Sequence, residues 1–96
     1  MANTNAVFVG DGSLLIQCAE AFRNAGHEVR AVVSANPANL DWATSRGIDA
    51  VRMEGDWASA LPGDFEYLFS VANLRMLPAS VLARAGKLAI NFHDAL

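Results

Sequence analysis

A chain of 96 residues makes one domain at most, long enough for a core but short for a complete wound α/β enzyme. Apolar residues make up 53% and charged ones 18%, which excludes a disordered tail and favours strands buried on both faces. A formal charge of −3 with no basic cluster argues against nucleic-acid binding by this chain, because binding of that kind needs cationic surface against phosphate.

Residues 6–9 are a short apolar run that stops at Gly10-Asp11-Gly12, and a helical pattern starts directly after it with Ser13 as the expected cap. Leu14, Leu15, Cys18, Ala21, Phe22 and Ala25 recur at three-to-four residue spacing as an apolar face, with Gln17, Glu20, Arg23 and Asn24 opposite. Gly26 supplies the stop, and His27 just beyond it reads as a surface residue suited to a helix end. Cys18, the single cysteine, reads as a packing residue and rules out a disulfide within the chain.

Residues 29–33 form a second strand and residues 34–37 a loop. Asn39 is placed to cap a short helix over residues 40–46 that Gly47 ends, and residues 48–51 are a third strand. The stretch 52–66 is less regular; Pro62-Gly63-Asp64 signals a turn, and Trp57, Ala60 and Leu61 suit a helical turn covering a sheet edge. Residues 67–71 are the next strand. Pro78 suits the first turn of a helix through Ala85, with Gly86 as its stop, and residues 88–92 are the last strand.

Strands alternating with helices predict an α/β, Rossmann-like, three-layer fold. Right-handed crossovers give a mostly parallel sheet of order 3-2-1-4-5, incomplete at its C-terminal side. The switch-point crevice then lies between the ends of strands one and four, with residues 10–13 on one wall and residues 73–77 on the other. No apolar run approaches the roughly 18 residues of a membrane span and no basic start leads into an apolar stretch, so the expected location is cytoplasmic.

Gly10-Asp11-Gly12 invites comparison with a dinucleotide fingerprint, but Leu15 stands where its third glycine belongs, and Ser34-Ala35-Asn36 offers no carboxylate for a ribose. A plain turn is the simpler reading. The loop of Asn73, Leu74, Arg75, Met76 and Leu77 is either a connection whose apolar residues plug the core or a wall for a flat heteroaromatic ligand. Asn91 and His93, two apart, share a face in an extended strand. That sets an amide able to hold an oxyanion beside an imidazole able to move protons. A lone histidine leaving a strand is commonly just polar, but an amide in a buried strand flanked by Ile90 and Phe92 needs a partner or substrate. Asp94, adjacent to His93, points the other way and is a poor candidate for orienting the ring. No second His or Cys stands at metal-ligand spacing, and Trp42 and Trp57 read as packing residues.

Asp64-Phe65-Glu66-Tyr67-Leu68-Phe69-Ser70, then Leu77-Pro78, then Gly86-Lys87-Leu88-Ala89-Ile90-Asn91-Phe92-His93 resemble the central stretch of the 10-formyltetrahydrofolate-dependent formyltransferase family. The opening, Phe8-Val9-Gly10-Asp11-Gly12-Ser13-Leu14-Leu15 with Cys18-Ala19-Glu20, most resembles the formylation domains fused to nonribosomal peptide synthetases. The resemblance, which also takes in the methionyl-tRNA formyltransferases, implies that residues 1–96 are the N-terminal part of a formyltransferase catalytic domain.

It further implies transfer of a formyl group from 10-formyltetrahydrofolate, as co-substrate, to a primary amine on a small molecule or a carrier. Asn91 and His93 match two members of the family's catalytic centre, and Arg75, Met76 and Leu77 match the loop that takes the pteridine and formyl end of the folate. The family's Leu-Pro loop would begin at Leu96, and its catalytic Asp lies on a later strand, so the 96-residue piece is expected to be inactive alone. Asp94 does not take that missing role. The alternative expectation is a non-catalytic Rossmann-like module that binds a nucleotide, a folate or a partner. The exposed last strand, residues 88–92, also suits self-association.

Overall fold

Five strands, β1 (Asn5–Val9), β2 (Glu28–Ser34), β3 (Asp49–Arg52), β4 (Phe65–Val71) and β5 (Ala85–Phe92), form one sheet of order β3-β2-β1-β4-β5 with every pairing parallel. The expected order and fold class are therefore observed. The computed structural model describes residues 3–72 and 77–92, the last of these by its backbone alone. Helices α1 (Ser13–Asn24) and α2 (Pro37–Ser45) lie on one face. The opposite face carries a 3-10 turn, Trp57–Ala60, and the single-turn α3, Ala79–Leu82.

Alternation along the central strand separates the two cores. Ala6 and Phe8 pack with Leu15, Ala19, Trp42 and Ala43, while Val7 and Val9 pack with Met53, Leu61, Leu68 and Val81. Val7 and Val9 are fully buried, each such side chain contributing about 1.5–3 kcal/mol, which is why the sequence there is an unbroken apolar run. Phe8 lies 5.5 Å from Phe22 and 5.2 Å from Phe69, and Phe22 meets Phe69 edge-on at 5.6 Å, joining α1 to β1 and β4.

Several local expectations are corrected. Ser13 is the first helical residue and Gly12 the cap, with no side-chain bond. The buried stripe of α1 is Leu15 and Ala19, flanked by half-buried Ile16, Cys18 and Phe22; Leu14, Ala21 and Ala25 are exposed. The stripe is turned towards α2, which lies on that flank, whereas no helix among the described residues covers the other flank. Asn36, not Asn39, caps α2: Pro37 at the first helical position holds the preceding residue extended, and the Asn36 carboxamide accepts from the Ala38 N–H at 3.0 Å.

Further along, β3 is shifted by one residue, and β4 begins at Phe65, which is buried. Leu61 follows the 3-10 turn and plugs the core beneath the sheet rather than covering an edge. The third helix ends early, and Gly86 lies inside β5 instead of stopping a helix. Arg84 explains the early end, since its guanidinium donates to the Ala58 carbonyl at 2.8 Å and the Pro62 carbonyl at 2.9 Å, drawing the chain out of the helix towards the preceding crossover.

At the amino end of the sheet, Glu66 ties three segments together. Its Oε1 accepts from the Thr4 hydroxyl at 2.8 Å and the Asn5 N–H at 3.2 Å, and its Oε2 lies 2.9 Å from the Lys87 ammonium. Lys87 above all, then Thr4, holds the Glu66 carboxyl below its ordinary value of 4.5, and Glu66 in turn raises Lys87 above 10.5. Glu66 therefore contributes stability above about pH 4.5 that is lost as pH falls through its depressed folded value. Lys87 contributes below about pH 10.5 and loses it as pH rises through its raised value. Urea midpoints of wild type and Glu66→Gln are expected to differ near neutrality and converge at acid pH; parallel profiles would refute the role.

Candidate functional site

The crevice predicted at the switch point is built first from Gly10. A Cβ placed there would lie 2.4 Å from the Val71 carbonyl oxygen, so the end of β1 presses directly on the end of β4, and only glycine permits the approach. The Gly10 N–H also donates to the Val33 carbonyl at 3.0 Å, which binds the same residue to β2.

Beyond Gly10 the turn is fastened to the loop after β2. Asp11 Oδ1 accepts from the Ala35 N–H at 2.7 Å and the Ser34 hydroxyl at 3.2 Å, and Asn36 Nδ2 donates to the Asp11 carbonyl at 2.8 Å. Asn39 is buried within α2 and its Nδ2 donates to the carbonyls of Gly10 and Gly12, each at 3.2 Å, and to Ser34 Oγ at 3.3 Å. Sequence reasoning missed this network. The signal was the dipeptide Asn36-Pro37, which sets the helix start and moves Asn39 inward. The polar groups at the end of β2, where a dinucleotide fold needs a ribose-binding carboxylate, are occupied by their own turn.

On the other side of the crevice, β5 runs in register with β4, with Ser70 opposite Asn91. Ser70 is buried, and alternation from Ala89 puts Asn91 on the face that carries α3. Leu77 is half-buried on that same face, packed with the cluster of Val81, Ala85 and Ala89. Two of the expected site residues, Leu77 and Asn91, thus share a face near the carboxyl end of the sheet. Arg75, Met76 and His93 lie outside the described residues, so the pairing of Asn91 with His93 and the rest of the ligand loop are expectations from the resemblance.

Asn91 is exposed, not an amide in a buried strand, because β5 is an outer strand. Its chemistry must therefore rest on position rather than on an unmet hydrogen-bonding need.

A polar cleft of about 430 Å³ lies at the opposite, amino end of the strands, lined among others by Thr4, Arg23, His27, Glu28 and Arg46. His27 is half-buried there rather than on the surface: its ring lies 4.9 Å from Phe22, and its Nδ1 accepts from the Thr4 N–H at 3.3 Å. Open parallel sheets bind ligands at the carboxyl ends of their strands, which favours the crevice over this cleft.

Among solved structures, a formyltetrahydrofolate deformylase from Pseudomonas putida KT2440 shares this fold. It superposes with a TM-score of 0.66 at 17% identity, over 94% of this chain and 38% of its own. At that identity the likeness establishes the fold, and the chain spans 38% of that neighbour's length. No protein-family model and no curated protein matches the chain. Among the described residues no helix is long and apolar enough to cross a membrane.

Proposed function

We propose that this chain is the N-terminal part of a folate-dependent formyltransferase, moving a formyl group from 10-formyltetrahydrofolate to a primary amine. The observation that carries the reading is the place of Asn91: at the carboxyl end of β5, one strand from the switch point, on the face of Leu77. The motif resemblance around Asn91 supports it, as does a shared fold with an enzyme named for formyltetrahydrofolate.

The residues suit such a co-substrate. Leu77, seated on the apolar cluster, offers a wall for a flat ring, and the exposed Asn91 carboxamide offers a donor on the same side. The folate supplies a formyl group carried on nitrogen. Asn91 Nδ2 would donate to the formyl oxygen as negative charge develops there, and His93 would hold or move a proton at the same centre. Arg75 and Met76 would complete the ring-binding loop. An aspartate beyond Leu96 would orient the imidazole, so the 96-residue chain alone is expected to bind without turnover.

The neighbour's name favours a second reading, in which water replaces the amine and the formyl group is released by hydrolysis. Calorimetric titration with a stable tetrahydrofolate and with a dinucleotide tests the shared premise. Heat is expected with the folate and none with the dinucleotide; a preference for the dinucleotide would favour a non-catalytic nucleotide-binding module instead.

A further inference from the structure

Alone, α3 has little to hold it. It is a single turn, too short for its own hydrogen bonds to offset the ordering they require, and Val81 is its one buried residue. Ala79, Ser80, Leu82 and the following Ala83 are exposed. Where the turn sits is therefore decided by what fastens its ends.

Arg84 fastens the carboxyl end. It is half-buried, one guanidinium nitrogen donates to the Ala58 carbonyl at 2.8 Å and another to the Pro62 carbonyl at 2.9 Å, and its central carbon lies 5.7 Å from the centre of the Phe65 ring. A single planar group thus joins the exit of α3 to backbone on both sides of the buried Leu61 and to the start of β4. A lysine ammonium is a point charge on a flexible stem and does not reproduce that fixed fork. Leu77 stands at the other end of α3, packed on the cluster that holds Leu61, Phe65 and Val81.

We propose that Arg84 is a positioning residue for the crevice, setting the place of the Leu77 wall through α3 rather than by touching the ligand. Leu77 has that role on the folate reading above, on which this assignment rests. Without the clamp, Val81 is the one buried hold left on α3, and the wall is free to shift with the turn. A flat ring needs its wall held to within about 0.5 Å, so loss of the clamp is felt in binding before it is felt in the central strands.

The test uses a protein that carries this chain together with the downstream aspartate. Arg84→Ala is expected to raise the dissociation constant of tetrahydrofolate at least about tenfold by calorimetry, whereas Glu66→Gln, which loosens the opposite end of the sheet, leaves it unchanged. Millimolar guanidinium is expected to restore affinity to Arg84→Ala by refilling the fork; as a denaturant it would worsen a loss that was merely structural. Amide exchange reads the clamp without ligand. The Val81, Leu82 and Ala83 amides, bonded to the carbonyls of Pro78 and Ala79, are expected to speed by at least about tenfold more than those of Val7 and Val9, because the opening is local. Arg84→Lys, which keeps the charge and loses the fork, is expected to show both effects at about threefold or more and serves if the alanine variant does not fold. Wild type that takes up no tetrahydrofolate would defeat the folate reading. Wild type that binds, with affinity untouched in the Arg84 variants, lost equally in Glu66→Gln or worsened by guanidinium, would overturn the role of Arg84, as would α3 amides no faster than those of β1.

Discussion

Asn91→Ala is expected to lower formyl transfer by about 10²–10³ in kcat when placed in a protein that carries this chain together with the downstream aspartate. The magnitude follows from the role: a single preorganised donor to a developing oxyanion is worth that much, and the alanine cannot replace it. KM for the folate should change little, because the carboxamide is asked to bind the charged state rather than the ground state. The fold should be affected far less than the rate, since the Asn91 side chain is exposed among the described residues. Steady-state kinetics beside a melting curve separate the two effects. An unchanged kcat would remove Asn91 from the reaction, and a collapsed melting transition would make its role structural.

Gly10→Ala is expected to cost about 3 kcal/mol or more of stability. Its Cβ would sit 2.4 Å from the Val71 carbonyl oxygen, a backbone atom that cannot turn aside, and 3.3 Å from Leu15 Cδ1. Relief would require β1 and β4 to separate where Gly10 is also bonded to Val33, so the strain falls on the middle of the sheet. Gly12→Ala provides the contrast. Nothing lies within 4 Å of a Cβ there, and the backbone is already extended at φ −91°, so the change should cost less than about 1 kcal/mol through the helix cap alone. Equal urea midpoints for the two variants would show that the approach of Val71 does not constrain the chain.

Much of this architecture was legible in the residues. The apolar runs of the central strands are nearly unbroken because those strands are covered on both faces, and the glycines after α1 and α2 mark real helix ends. Boundaries suffered where a contact distant in sequence decided them. Arg84 reaches carbonyls 22 and 26 residues away and ends α3 early; Phe65 enters the sheet because the core beneath it needs filling. The candidate site divides the same way. That Asn91 lies near the end of the outermost strand was visible, but the exposure of its side chain was not, because that depends on what packs against its face of the sheet.

Taken alone, the sequence determined the alternation of strand and helix and, through the handedness of parallel crossovers, the order of the sheet, because both follow from local periodicity and chain chirality. Only the tertiary structure decided which flank of α1 is buried and that Asn39 braces the first turn. Those depend on which surfaces meet across the fold, and residue spacing along the chain carries no record of that.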